Sequence, residues 1–164
     1  MSVEENLAAA GYPLPAPAAP AGSYVPALQV GHLLYTSGQL PMVDGVLPER
    51  YTGKVGAAVD LETAREAAAR CALNALAAVK GVVGDLGRVE RVVKVVGFVA
   101  STPDFTGQPE VMNGASDLLT QAFGEAGRHA RSAVGMAVLP RDTCVEVELI
   151  VQVREGDGGG EERA

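Results

Sequence analysis

Aromatic residues are scarce in this chain: three Phe, four Tyr and no Trp among 164 residues. A core must then be built from Val, Leu and Ala, whose small side chains let backbones approach closely. Cysteine is almost as rare, with only Cys71 and Cys144. Two cysteines so far apart make no disulfide framework, so a reduced, cytoplasmic setting is expected. No run of about 18 apolar residues is present, which excludes a spanning helix. Glu4 and Glu5 stand where a targeting peptide would carry Lys or Arg. Positive charge is also short, 13 Lys and Arg against 20 Asp and Glu, for a net charge of −7. Phosphate recognition relies on clustered cations, so neither nucleic acid nor an anionic membrane is an expected partner. There is no HExxH pair, no Cys-x-x-Cys and no EF-hand loop, so no metal site is suggested, and no GxGxxG or Walker loop occurs.

What is present fits one domain with an apolar core, since 48% of the residues are hydrophobic. Ser2 as N-cap and Glu4 and Glu5 in the first turn predict a short helix over 3–10. Pro13, Pro15, Pro17 and Pro20 follow in an extended arm, so residues 1–20 read as an extension ahead of a domain over 21–153. Residues 155–164 hold four Gly and four acids, and the tail over 154–164 is expected to be disordered. Strands are predicted over 24–30 and 32–37 around Gly31, then a long loop over 43–59. Asp60 caps a helix over 61–83, with Ala68, Ala72, Ala75, Leu76, Val79 and Val83 on one face. A Val-rich strand over 89–100 follows. A second helix opens at Pro109 and runs to about residue 126. Strands over 131–138 and 143–153 are predicted to form a hairpin around Leu139, Pro140, Arg141 and Asp142. The order gives an α+β fold, two long helices on a mixed sheet. Two helices cover only one sheet face. The other stays apolar and needs a partner, so a homo-oligomer is expected.

Few residues offer chemistry. His32 and His129 are isolated and read as ordinary exposed histidines. No Ser-His-Asp arrangement is evident. Arg131 opens a strand of small and apolar residues, where a guanidinium can fork a carboxylate; a strand-end arginine facing water is the competing reading. Glu146 and Glu148, two apart on the last strand, share one face, which could equally be a solvated one. In the predicted hairpin Glu146 falls opposite Gly135, whose missing side chain would leave space beside the acid; a one-residue slip would swap the faces. Ser37 and Gly38 end a strand and offer a hydroxyl and a backbone N–H, or simply an exit into a loop.

Several segments in series resemble the RidA (YjgF-like) family of reactive-intermediate deaminases. They are Gly22-Ser23-Tyr24-Val25, Tyr35-Thr36-Ser37-Gly38-Gln39-Leu40-Pro41, residues 95–100 with the Pro-Asp-Phe loop, Asn113, Ala130-Arg131-Ser132-Ala133-Val134, and Leu139-Pro140-Arg141-Asp142 through Val145-Glu146-Val147-Glu148. The resemblance spans roughly residues 20–153. It implies a chorismate-mutase-like fold, a homotrimer with pockets between subunits, and hydrolysis of enamines and imines such as 2-aminoacrylate to 2-keto acid and ammonia. It implies Arg131 as the grip on the substrate carboxylate and Glu146 as the acid that activates water. It places Ser37, Gly38, Tyr24, Asn113 and Ala133 at the substrate, some from a neighbouring subunit, and implies no metal or organic cofactor. Ala133 stands where many members have Cys, and Gly135 where many have Glu, so a divergent, longer subgroup is implied. A non-catalytic trimeric binder of small carboxylic acids is the alternative. An RNA-cleaving role, attributed to some relatives, sits poorly with the acidic charge.

Overall fold

The computed structural model describes residues 1–17 and 22–154. The end of the Ala/Pro arm and residues 155–164 of the tail expected to be disordered lie outside the described residues. Arg154, expected to belong to that tail, is instead held in place, its N–H donating to the Arg88 carbonyl and its Nη2 to the Gly87 carbonyl, both at 3.0 Å. Helix α1 (Val3–Ala9) is closed by a capping box. Ser2 Oγ accepts from the Glu5 N–H at 3.1 Å, and Glu5 Oε2 accepts from the Ser2 N–H at 2.7 Å. Leu7 of this helix is buried in the core, and Asn6 Nδ2 donates to the Ala122 carbonyl at 3.0 Å. The N-terminal residues thus pack onto the body of the fold.

Strands β1 (Ala27–Val30) and β2 (Leu33–Thr36) form an antiparallel pair around Gly31, whose φ of 58° suits glycine. Strand β1 starts three residues later than its apolar pattern suggests. Pro26 has no N–H for the ladder and only accepts, from the Ser37 N–H at 2.9 Å. Helix α2 (Leu61–Val83) begins where Asp60 Oδ1 accepts from the Thr63 N–H at 2.8 Å and stops at Gly84, φ 79°. Strand β3 spans Val89–Ala100 and helix α3 spans Gln108–Phe123. The latter ends short of residue 126 because Gly124 takes φ 61° and turns the chain into a 3₁₀ turn. The loop over 43–59 is held in place rather than loose: it carries the 3₁₀ turn Glu49–Tyr51, with Tyr51 fully buried.

Strands β4 (Ala130–Met136) and β5 (Val145–Val153) complete a five-stranded mixed sheet of order β1-β2-β5-β3-β4. The expected hairpin between the last two strands does not form. Strand β4 pairs parallel to β3 on one side, and β5 pairs antiparallel to β3 on the other and to β2 beyond it. The turn at Leu139–Asp142 does reverse the chain, but β3 lies between its two arms. Gly135 consequently pairs with Val99 and Glu146 with Phe98.

Pairing partners share a face, so the register sorts the side chains. Leu34, Val95, Val99, Val147, Leu149 and Val151 are buried under α2 and α3. The other face carries Leu28, Val30, Tyr35, Phe98, Val134 and Glu146. Leu28, Val30, Tyr35 and Val134 on that face are 57, 62, 41 and 41% exposed. The two helices approach closely because α3 has Gly114, where any Cβ would overlap the Arg65 carbonyl of α2. No helix among the described residues is long and apolar enough to cross a membrane.

Candidate functional site

The structure divides the expected site residues into two groups. The first surrounds Arg131, which pairs with the buried Val95 and so projects to the helix side, at the sheet edge beside α3. Its Nη1 donates to Asn113 Oδ1 and to Ser116 Oγ, both at 3.0 Å, and its Nη2 donates to the Pro109 carbonyl at 3.1 Å. A guanidinium has five N–H bonds. Three are committed here, and the Nε–H and one Nη2–H have no acceptor among the described residues. Arg131 and Asn113 are thus brought together, and Arg131 is a fixed, partly exposed cation with donors to spare. Ala133, two residues on and facing the same side, packs against the core.

The second group surrounds Glu146, on the opposite, open face of the sheet. Its carboxylate lies over Gly38, where any Cβ would overlap it. Gly38 is aligned because Gln39 pairs with Val147, N–H to carbonyl at 2.8 Å and 3.1 Å. Space beside this acid therefore comes from Gly38. Gly135, expected to provide it, instead leaves room for Gln108 and Ser101, whose Nε2 and Oγ would lie 3.0 and 3.1 Å from a Cβ there. Glu146 makes no hydrogen bond or ion pair among the described residues. Burial, and next the Glu148 charge, push its carboxyl above the usual range. Tyr24 and Gly38 border a cavity of about 550 Å³ that also touches Gln39, Asn74 and Arg141. Ser37 does not line that cavity, and its hydroxyl donates to the Val25 carbonyl at 2.7 Å.

Arg131 and Glu146 do not meet within one chain. They lie on strands either side of β3, roughly 10 Å apart at ordinary strand spacing, and face opposite sides of the sheet.

The comparisons with known proteins agree with this architecture. A family model described as "YjgF/chorismate_mutase-like, putative endoribonuclease" matches residues 4–153. The chain belongs to the YjgF family. It is 47% identical to Protein TCP17 of Trypanosoma cruzi over 152 residues, 92% of this chain and 94% of that protein. The crystal structure of Atu1372 from Agrobacterium tumefaciens matches with a TM-score of 0.86 at 48% identity, covering 93% of this chain and 92% of that one. The structure of E. coli TdcF with bound serine matches with a TM-score of 0.58 at 25% identity, covering 85% and 94%.

Sequence reasoning overlooked three residues in this YjgF-family chain. Arg141 borders the cavity with φ 56°, in the left-handed region rare for side chains, and its guanidinium has no partner among the described residues. The neighbouring Asp142 shares that conformation, and its carbonyl is held by the Gly53 N–H at 2.7 Å. Ser116 and His129 are the other two. His129 is not the ordinary exposed histidine its isolation suggested: its ring lies 2.9 Å from Ser116 Oγ and 2.6 Å from the Gly127 carbonyl. Residues 13 apart in sequence give no motif to reveal such a pair. The two thiols offer little, being fully buried and free, with Cys144 pushed up to about 12 by burial.

Proposed function

We propose that the protein is a cofactor-free hydrolytic deaminase of reactive enamines and imines of the 2-aminoacrylate kind, working in clefts between identical subunits of a trimer. The observation that carries this reading is that each half of a site is incomplete in one chain. Arg131, at a sheet edge, has two N–H groups with no acceptor among the described residues. Glu146 is a half-buried carboxylate with no partner among the described residues, on a face that exposes Leu28, Val30, Tyr35 and Val134. An apolar face of this kind favours a partner, and docking a second copy there would give Glu146 a neighbour. The serine held by E. coli TdcF, a small acid with an α-carboxylate, supports the ligand class.

In this reading the substrate carboxylate accepts from the Arg131 Nε–H and Nη2–H, which fixes the imine carbon. Protonation of the imine nitrogen makes that carbon electrophilic. Water adds to it while Glu146 of the facing subunit takes a proton from the water. The carbinolamine collapses, the C–N bond breaks with a proton delivered to nitrogen, and ammonia and the 2-keto acid leave. A raised carboxyl suits Glu146, since a stronger base at neutral pH serves both proton transfers. Ser37, Gly38, Tyr24, Asn113 and Ala133 shape the two sides of the cleft.

The test is an amino-acid oxidase assay in which imino acid is generated in place. Purified protein should accelerate keto-acid release, and Arg131→Ala should abolish the acceleration. No effect on any imino acid would contradict the reading. A ligand-dependent rise in melting temperature without turnover would identify a carboxylate-binding module instead. Salt-sensitive RNA binding would favour the endoribonuclease description, against which the net charge of −7 counts.

A further inference from the structure

We propose that Ser116 and His129 are the positioning residues of the Arg131 fork, acting through a hydrogen-bond chain whose direction the histidine sets. The proposal rests on the reading that Arg131 grips a carboxylate, and it says what keeps the grip in place. Each link of the chain leaves the next a single role.

The chain starts at the Gly127 carbonyl, which can only accept. His129 Nδ1 lies 2.6 Å from it, so Nδ1 carries the ring hydrogen. In the neutral ring Nε2 is then bare. Ser116 Oγ lies 2.9 Å away and must donate its hydrogen there. With its hydrogen spent on the ring, the Ser116 oxygen presents lone pairs to Arg131 Nη1 at 3.0 Å. Were the histidine in the other tautomer, its Nε2–H would point at Ser116, and the serine hydrogen would compete with the arginine for the same space.

Two further observations agree with this direction. Burial and the Arg131 charge both hold the His129 pKa below its ordinary value, which favours the neutral ring. Other charges nearby are engaged elsewhere: Asp117 with Arg65 at 3.4 Å and Glu125 with Arg128 at 3.2 Å. The acceptors for Arg131 also form a built stripe. Pro109, Asn113 and Ser116 fall at i, i+4 and i+7 on α3, one face of a helix, so the guanidinium is clamped lengthwise along it. The clamp takes three N–H groups and leaves two for a ligand. Ser116 and His129 are partly exposed and outside the core cluster, so their loss should disturb the clamp rather than the fold.

Two measurements on the full chain decide the matter. Nitrogen-15 NMR at neutral pH should show His129 as the Nδ1–H tautomer; the Nε2–H tautomer would overturn the proposal outright. Binding of pyruvate, followed by calorimetry, should weaken about tenfold in Ser116→Ala and in His129→Ala, the usual effect of losing one hydrogen bond to a charged group. Ser116→Thr keeps the hydroxyl and His129→Gln keeps an acceptor at the Nε2 position, so both should restore affinity to within a few-fold, with melting temperatures close to wild type throughout. Undiminished binding in both alanine variants would also overturn the proposal. Wild-type protein that ignores pyruvate while showing the Nδ1–H tautomer would sink the carboxylate reading of Arg131 and leave the positioning chain standing.

Discussion

Gly38 lies so close to Glu146 that any side-chain carbon on the glycine would overlap the carboxylate. The glycine does not have a left-handed backbone, so what it supplies is room. The acid reaches its place on the open face only because residue 38 ends at its Cα.

Gly38→Ala should therefore act on Glu146 rather than on the fold. The methyl group displaces the carboxylate, while the Gln39–Val147 pairing that aligns the segment survives. The expected result is a fall in kcat approaching that of Glu146→Gln, about 10²–10⁴-fold for a lost general base, with a melting temperature within a few degrees of wild type. Steady-state kinetics beside a thermal melt checks both halves.

The pH dependence follows from the raised Glu146 carboxyl. In the proposed role of base it must be ionised, so activity should fall on acidification at a pH above that of an ordinary carboxyl. Glu148→Gln removes the second cause of the shift and should move this acid limb to lower pH. Stability runs the opposite way. A carboxyl raised in the folded state binds its proton more tightly there, so its contribution is present below the unfolded pKa and lost as pH rises through the folded value. Glu146→Gln should stabilise the chain at neutral pH, and that gain should vanish in acid. Denaturant melts across the pH range measure it.

Gly114→Ala is expected to destabilise, although replacing glycine by alanine inside a helix ordinarily stabilises by about 1 kcal/mol. Here the new methyl would overlap the Arg65 carbonyl on α2, a backbone atom that cannot turn aside. Overpacking costs roughly 1–3 kcal/mol, which outweighs the propensity gain. A melting temperature several degrees lower, by calorimetry, is the predicted outcome, and an unchanged or higher one contradicts the close approach of the helices.

Local chemistry was legible in the sequence, and long-range pairing was not. Asp60 and Gly84 mark the ends of α2 because a cap is a contact between near neighbours. The turn at Leu139–Asp142 was equally readable as a reversal, yet turn chemistry does not say which strand edge the chain joins next. Strand β5 passes to the far side of β3, and with that the partner of Gly135 changes from Glu146 to Val99. Arg131 and Glu146 were recognisable as candidates by residue type and by family resemblance. That they face opposite sides of one sheet depends on register, which no single segment encodes. The contacts of His129 are not legible in the sequence because its partners, Ser116 and Gly127, make no pattern with it along the chain.

The most direct test of an intersubunit site is complementation between two inactive variants. Arg131→Ala and Glu146→Gln proteins, each inactive alone, are mixed under conditions that allow subunits to exchange, and imine hydrolysis is measured. In a ring of random composition about one cleft in four would combine an intact arginine with an intact glutamate from its neighbour, so activity should return to about a quarter of wild type. A mixture that exchanges fully and stays inactive would contradict the account.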